Sequence, residues 1–203
     1  MPRTLIFDIG NVLLRWEPQA LFGTLLPDAA AVDAFLAEVG FSDWNHQFDG
    51  GVPWDEGVAT HAARFPHRAE LLAAYRDRWH ETIVGPVPGM PELLAELKAA
   101  GVPLYAITNF SEPKFSETLA RHPFLASSFR DIVVSGVERM TKPGPEIFRL
   151  CLARNGIAAG EAVFIDDLPK NVAAAEALGL TGIVFTDAAT LRRTLRDAIG
   201  LPV

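Results

Sequence analysis

The chain has 203 residues, 49% hydrophobic and 21% charged, which is ordinary for a globular protein of one domain or of one domain with an insertion. The formal net charge is −7 and the largest basic cluster is the pair Arg192-Arg193, which argues against a nucleic-acid partner. No apolar run is long enough to span a bilayer, and three apolar residues before Asp8 are too few for a secretory signal, so we expect no membrane partner. The single cysteine, Cys151, cannot form an internal disulfide and fits a reducing, cytoplasmic location.

The first part of the chain predicts one strand followed by a helical segment. Residues 4–8 contain the apolar run Leu5-Ile6-Phe7 and are predicted to form a buried strand. Residues 18–84 show helical spacing of apolar side chains, and turn residues divide them into about four helices. Those turn residues are Pro27, Gly40, Gly50-Gly51 and Pro66. The run from Gly85 to Gly89 then predicts a linker or hinge.

The rest of the chain alternates between strand and helix patterns. Strands are predicted at 102–107, 131–135, 162–166 and 181–185. Helices are predicted at 91–100, 112–121, 144–155, 169–178 and 188–198. This alternation is typical of an α/β fold with a Rossmann-like parallel sheet flanked by helices. Ligands of such folds bind beyond the carboxyl ends of the strands, so residues just after each strand are the candidates for chemistry.

Three acidic residues lie at the ends of two predicted strands. Asp8 follows the first strand, and Asp166 and Asp167 end the run Ala162-Val163-Phe164-Ile165. Because the carboxyl ends of parallel strands meet at one edge, we expect the three carboxylates to lie close together. Like charges in one place repel unless a proton or a cation is present. The sequence therefore predicts a divalent-metal site.

Polar residues also follow the other strands. Thr108-Asn109 ends one predicted strand, and Lys142 lies in a polar turn after the next. Each has a simpler interpretation, since Thr108 and Asn109 could cap a helix, Asp8 could form an Asx turn, and most lysines are exposed. Their common order and placement at strand ends favour a functional role.

In order, these segments resemble the four motifs of the haloacid dehalogenase-like hydrolase superfamily. The segments are Phe7-Asp8-Ile9-Gly10-Asn11-Val12, Ile107-Thr108-Asn109, Thr141-Lys142-Pro143 and Asp166-Asp167-Leu168-Pro169-Lys170-Asn171. The resemblance covers nearly the whole chain. It implies a Rossmann-like catalytic core of residues 1–13 and 86–203, with an all-helical cap inserted as residues 14–85.

The resemblance also implies roles for these residues in an Mg²⁺-dependent phosphatase. Asp8 would be the nucleophile, and Asp8, Asp167 and the carbonyl of Gly10 would ligate Mg²⁺. Asp166 and Asn171 would hold metal-bound water. Thr108, the backbone amide of Asn109 and Lys142 would bind the phosphoryl oxygens, and Lys142 would also anchor Asp8.

Gly10 departs from the pattern of the family. Most family phosphatases carry a second Asp at this position, as general acid and then general base, an effect typically worth about 10²–10⁴-fold. This chain would need a slower route, a substitute acid, or a leaving group that needs no proton. His46, Asp49 and His80 of the cap are candidate substitutes, although a structural or solvent-exposed role is the more common one for each such residue.

The start of the chain and one cap segment, 44–51, look like the branch that contains glucose-1-phosphate phosphatases. Candidate substrate contacts are Asn11, Trp16, Trp44, Trp54, His46 and Asp49. A tryptophan could stack on the apolar face of a sugar, or it could simply fill the core of the cap.

The leading interpretation is therefore a phosphatase acting on a small phosphorylated metabolite, possibly a sugar phosphate. A 2-haloacid dehalogenase is an alternative because expulsion of halide needs no acid at position 10, but such enzymes need no metal and typically lack the paired acids. A low-activity phospho-ligand-binding protein is a further alternative, against which the combined presence of Asp8, Lys142 and Asp167 argues. Hinges near 13–16 and 85–89 would let the cap close. The oligomeric state and the identity of the substrate are not predicted.

Overall fold

The computed structural model of the protein describes residues 4–203. Its main sheet consists of the strands β1 Thr4–Phe7, β4 Leu104–Thr108, β5 Asp131–Val134, β6 Ala162–Asp166 and β7 Thr181–Val184. All five are parallel and lie in the order β5-β4-β1-β6-β7. The predicted Rossmann-like fold is confirmed, and predicted residues 1–3 of the core lie outside the described part of the chain.

Helices precede and follow the later strands of the sheet. They are α6 Met90–Ala99, α7 Glu112–Arg121, α8 Pro123–Ser128, α9 Ser135–Glu138, α10 Pro145–Asn155, α11 Pro169–Glu176 and α12 Ala188–Thr194, which continues as a π-helical turn, Leu195–Ile199. Proline occupies an early position in α6, α7, α8, α10 and α11, where the missing N–H costs nothing. The short helices α8 and α9 were not predicted.

The sheet is buried on both faces, as its continuous apolar strands require. Successive residues of β1 point to opposite sides: Leu5 and Phe7 pack in one apolar cluster and Ile6 in the other. Cys151 of α10 is buried in the second cluster, in agreement with a packing role. Within residues 4–203, no helix combines the length and the apolarity that crossing a bilayer requires.

The segment between β1 and α6 forms the inserted cap. Its helices are α1 Pro18–Phe22, α2 Ala29–Glu38, α3 Phe41–Asp49, α4 Trp54–Arg64 and α5 Ala69–Asp77, with short 3₁₀ turns at Pro66–Arg68 and Trp79–Thr82. The cap has an aromatic interior in which Phe22, Phe41, Trp44 and Tyr75 pack with ring centroids 4.9 to 6.1 Å apart. Edge-to-face and offset contacts of this kind stabilise an aromatic core.

Two short strands join the cap to the core. Strand β2 Leu14–Trp16 pairs antiparallel with β3 Ile83–Pro86, so the entry and exit of the cap lie side by side. The insertion is thus closed by a two-stranded ribbon where the sequence suggested only hinges. The boundaries 13/14 and 85/86, and cap closure about them, stay predictions.

Candidate active site

The site lies at the carboxyl edge of the three central strands. Asp8 directly follows β1, Thr108 ends β4 and Asp166 ends β6. Because β4, β1 and β6 are adjacent and parallel, the three strand ends reach the same edge. Oxygen atoms of Asp8, Asp166 and Asp167 all lie within 4.8 Å of one another. The predicted convergence of the three acids is therefore present.

Lys142 lies between two of these acids. Its Nζ is 2.8 Å from Asp8 Oδ1 and 2.7 Å from Asp166 Oδ2, and its side chain is 1% exposed. Asp8 Oδ1 also accepts a hydrogen bond of 2.7 Å from the N–H of Ile9. Among residues 4–203, no hydrogen bond or ion pair engages Asp8 Oδ2.

Asp166 is fully engaged by protein groups. Its Oδ1 accepts from the N–H of Leu168, its Oδ2 accepts from Lys142, and Nδ2 of Asn171 lies 3.0 and 3.1 Å from the two oxygens. A carboxylate with this many partners is a poor direct metal ligand. Its contacts instead place it as the anchor of Lys142 and Asn171.

Burial and neighbouring negative charges raise the pKa of Asp8 and of Asp167. Burial raises the pKa of Asp8, Lys142 opposes the rise, and the charges of Asp166 and Asp167 add to it. Burial and the charge of Asp166 likewise raise the pKa of Asp167. Burial lowers the pKa of Lys142, but the charges of Asp8 and Asp166 outweigh it and the net shift is upward. One ammonium does not neutralise three carboxylates, so the cluster favours a further cation.

The donor set fits Mg²⁺. This ion prefers oxygen and usually takes one or two carboxylates while it keeps several waters. Asp8 and Asp167 both line the open cavity, and Asp166 is occupied elsewhere. Asn171 Oδ1 is buried without a hydrogen-bond partner among the described residues, and it could accept from a water molecule in this place.

Thr108, at the end of β4, also has a hydroxyl group without a protein partner. Within residues 4–203, its Oγ1 and Asn171 Oδ1 are the two fully buried side-chain oxygen or nitrogen atoms that lack a hydrogen bond. A buried hydroxyl without a partner costs free energy unless a ligand accepts from it. Asn109 has a role that the sequence did not reveal: its side chain donates to the Lys142 carbonyl at 2.9 Å and accepts from the Lys142 N–H at 2.8 Å. This pair of bonds fixes the backbone that carries Lys142.

A cavity of about 570 Å³ opens over the acids, between the core and the cap. Its core side includes Asp8, Gly10, Asn11, Asn109, Lys142, Asp167 and Asn171. Its cap side is largely apolar and includes Leu14, Trp16, Leu36, Phe41, Trp54, Trp79 and Ile83, with Asp43, Asn45, His46 and Asp49 as polar members. A ligand here would meet charged groups at one end and an apolar wall at the other.

The predicted cap residues divide into two groups. Asn11, Trp16, Trp54, His46 and Asp49 line the cavity. Trp44 does not: it is 1% exposed inside the cap, and its indole N–H donates to the Gly57 carbonyl. The suggestion that Trp44 contacts substrate is therefore wrong, because the apolar core of α3 and α4 takes up its ring. His80 lies in the 3₁₀ turn Trp79–Thr82 and does not line the cavity.

Comparison with known proteins agrees with this architecture. A family model described as haloacid dehalogenase-like hydrolase matches residues 2–179 of the 203. The chain belongs to the haloacid dehalogenase-like hydrolases. The match includes every strand end that contributes to the site.

Relatives of this hydrolase include named phosphatases. The sesquiterpene phosphatase astK of Aspergillus oryzae is 29% identical over 98% of this chain and 97% of its own length. A phosphoglycolate phosphatase of Pseudomonas savastanoi is 26% identical over 92% of this chain and 70% of its own length. Two other relatives are much longer proteins, of which the chain spans 19% and 37%.

A solved structure shares the fold of this hydrolase. A HAD family enzyme from Bacteroides thetaiotaomicron, in complex with magnesium and inorganic phosphate, superposes with a TM-score of 0.70 at 19% identity. The match covers 92% of this chain and 96% of that one. At this identity the similarity establishes the fold.

Serine residues of the hydrolase connect the cap to the core, and the sequence did not single them out. Ser135, at the start of α9, donates to the Asp49 carbonyl at 2.6 Å and accepts from the N–H of Phe110 at 2.8 Å. Ser111 accepts from the indole N–H of Trp54 at 3.0 Å. These bonds join residues that lie 57 and 86 positions apart across the cap–core contact, so no local pattern signals them. Their place just after strands β4 and β5 is the signal that could have suggested them.

Proposed function

We propose that this protein is a magnesium-dependent phosphatase that hydrolyses a small phosphomonoester through an aspartyl-phosphate on Asp8. The observation that carries the proposal is the state of Asp8, whose Oδ1 is held by Lys142 and Ile9 while Oδ2 faces no protein partner among residues 4–203. A carboxylate held in this way has one oxygen positioned to attack phosphorus.

The surrounding residues would orient the phosphoryl group. Lys142 would bind a phosphoryl oxygen, and the Thr108 hydroxyl would donate to another. Asp8 and Asp167, with the carbonyl of Gly10, would hold Mg²⁺, and Asp166 would keep Lys142 and Asn171 in place. When bound, Mg²⁺ offsets the repulsion between a carboxylate nucleophile and a phosphate dianion.

The organic part of the substrate would lie against the cap. The cap wall presents Trp16, Phe41, Trp54 and Ile83, which suit a substrate with a flat or apolar face. The proposal of a sugar phosphate uses this wall for stacking on Trp16 or Trp54. The wall suits a short isoprenoid monophosphate at least as well, and the similarity to a sesquiterpene phosphatase supports including that class.

The test is phosphate release from glucose 1-phosphate, phosphoglycolate, farnesyl monophosphate and 4-nitrophenyl phosphate, each with Mg²⁺ and with chelator. We expect release to need Mg²⁺ and to disappear in Asp8→Asn, which keeps the shape but not the nucleophile. Asp33→Asn, at an exposed carboxylate of α2, is the matched control and should keep full activity.

A 2-haloacid dehalogenase remains the competing activity, and Gly10 is the observation that favours it. Halide release from 2-chloropropionate in the presence of chelator, with no phosphate release from any ester, would replace the phosphatase proposal.

A further inference from the structure

Asp49 is a carboxylate of the cap that faces the cavity of the candidate active site. It is the last residue of α3 and lines the cavity that also contains Asp8 and Gly10. The Ser135 hydroxyl, on the core, donates to its carbonyl oxygen at 2.6 Å. This bond ties the end of α3 to the edge of the sheet on which Asp8 lies.

A chain of hydrogen bonds within the cap orients the Asp49 carboxyl. The indole N–H of Trp79 donates to the Tyr75 hydroxyl at 3.2 Å, and that hydroxyl donates to Asn45 Oδ1 at 2.6 Å. Asn45 Nδ2 then donates to Asp49 Oδ2 at 3.3 Å. Because Oδ2 is the acceptor, a proton on this carboxyl resides on Oδ1, for which residues 4–203 provide no hydrogen-bond partner.

The other candidates are less suitably placed. His46 is exposed, and its Nε2 lies 3.5 Å from Thr141 Oγ1 at the rim of the cavity. His80 does not line the cavity, and Asp43, near the start of α3, is exposed to solvent. No side chain at position 10 can take part, because Gly10 has none. Asp49 is thus the one candidate that is half-buried, oriented and inside the cavity.

We propose that Asp49 is the general acid that protonates the leaving group and then the general base that activates water, in place of the side chain that Gly10 lacks. The inference rests on the proposed function, since it assigns a residue to the same reaction. Asn45, Tyr75 and Ser135 would be positioning residues for this carboxyl.

The environment of Asp49 supports the protonated form that a general acid needs. Burial raises its pKa to about 7, the charge of Asp8 adds to the rise, and Lys142 opposes it. The carboxyl end of a helix also disfavours a negative charge. The titratable side chains that line the cavity with Asp49 are Asp8, Asp43, His46, Lys142, Asp167 and Lys170. The Tyr75 hydroxyl, which donates to Asn45, is a further titratable group near Asp49.

Asp49 would give up one proton when the phosphoryl group moves to Asp8 and would regain one from water when the phosphorylated Asp8 is hydrolysed. Asp8 Oδ2 bonds to phosphorus as the ester P–O bond breaks, and the leaving alkoxide takes the proton from Asp49 Oδ1 to become the alcohol. Asp49, now a carboxylate, takes a proton from water as the water oxygen bonds to phosphorus. The bond between phosphorus and Asp8 breaks, which restores the Asp8 carboxylate, the Asp49 acid and free phosphate.

The experiment compares Asp49→Asn with the wild type on two leaving groups, an alkyl phosphate and 4-nitrophenyl phosphate. Only the alkoxide needs a proton to leave, so we expect kcat/KM to fall by about 10²–10⁴-fold for the alkyl ester and by far less for the aryl ester. With the aryl ester, loss of the base should slow the second step. Phosphorylated Asp8 should therefore accumulate and be detected by intact mass.

The pH profile provides a further measurement. For the alkyl ester, kcat/KM of the wild type should fall as pH rises through the pKa of the acid, and Asp49→Asn should lack this alkaline decline. Asp33→Asn controls for loss of a cap carboxylate, and circular dichroism confirms folding. Equal losses on both leaving groups, with no phosphorylated Asp8, would overturn the role of Asp49 while leaving the phosphatase proposal intact. Undiminished turnover in Asp8→Asn would instead remove the proposed function.

Discussion

Lys142 should be among the most costly residues to replace, because it neutralises a cluster that is otherwise acidic. The substitution Lys142→Met keeps the length of the side chain and removes the ammonium. Asp8 and Asp166 then lose ion pairs of 2.8 and 2.7 Å at a site where the Asp166 side chain is 0% exposed. Breaking a buried ion pair by removal of one partner typically costs about 3–5 kcal/mol.

The expected loss can be expressed as a melting temperature. For a chain of this length, about 1 kcal/mol corresponds to roughly 2–4 °C, so metal-free Lys142→Met should melt about 6–20 °C below the wild type. Protonation of Asp8 reduces this loss of stability, because the pKa of Asp8 is already raised and rises further without Lys142. Near pH about 6 the folded variant can keep Asp8 protonated and uncharged, whereas near pH about 8 it must bury the charge. The difference in melting temperature between Lys142→Met and the wild type should therefore be larger near pH about 8.

The assay is thermal unfolding with chelator at both pH values, with Lys170→Met as the control at an exposed lysine. Adding Asp166→Asn to Lys142→Met should recover part of the loss, because it removes one uncompensated charge. A Lys142→Met protein that melts together with the Lys170→Met control at high pH would refute the idea that Lys142 neutralises the site.

Three further predictions test other contacts. Gly10→Asp in the Asp49→Asn background should raise turnover of an alkyl phosphate by at least about tenfold, because a Cβ at position 10 meets no atom within 4 Å and the new carboxyl can act as the acid. Unchanged turnover would contradict this. Ser135→Ala should lower the unfolding free energy by about 1–3 kcal/mol in denaturant titration, because the buried N–H of Phe110 and the half-buried carbonyl of Asp49 lose their partner. Burial lowers the pKa of His61, so protonation favours the unfolded chain, and the stability of the wild type relative to His61→Gln should decrease as pH falls below about 6.5.

The sheet and the location of the site could be predicted because each depends on a local pattern. Short apolar runs predict buried strands, and their alternation with helices predicts that the strands are parallel. The sequence then predicts that the acids at the ends of β1 and β6 lie at the same edge of the sheet. The spatial order of the strands, in which β1 and β6 are neighbours, carries no such local signal and is given by the structure.

Features that depend on contacts distant in sequence were not predicted. Trp44 and Trp54 lie in one aromatic-rich part of the cap, but Trp44 fills the cap interior while Trp54 also reaches Ser111 and the cavity. The β2–β3 ribbon was missed because its strands have three and four residues and include Gly85 and Pro86, which favour a linker interpretation.

The β2–β3 ribbon makes the cap a removable module. Leu14 lies opposite Pro86 and Arg15 opposite Gly85, so the core is entered and left at neighbouring points. A two-residue hairpin turn is sufficient to join antiparallel strands at that distance. Replacement of residues 17–82 by such a turn would retain the five-stranded sheet with Asp8, Lys142 and Asp167 open to solvent. A different cap could be inserted at the same point while the core keeps Asp8, Lys142 and Asp167. Because Asp49 lies in the cap, such a replacement would also have to supply the general acid that we propose for it.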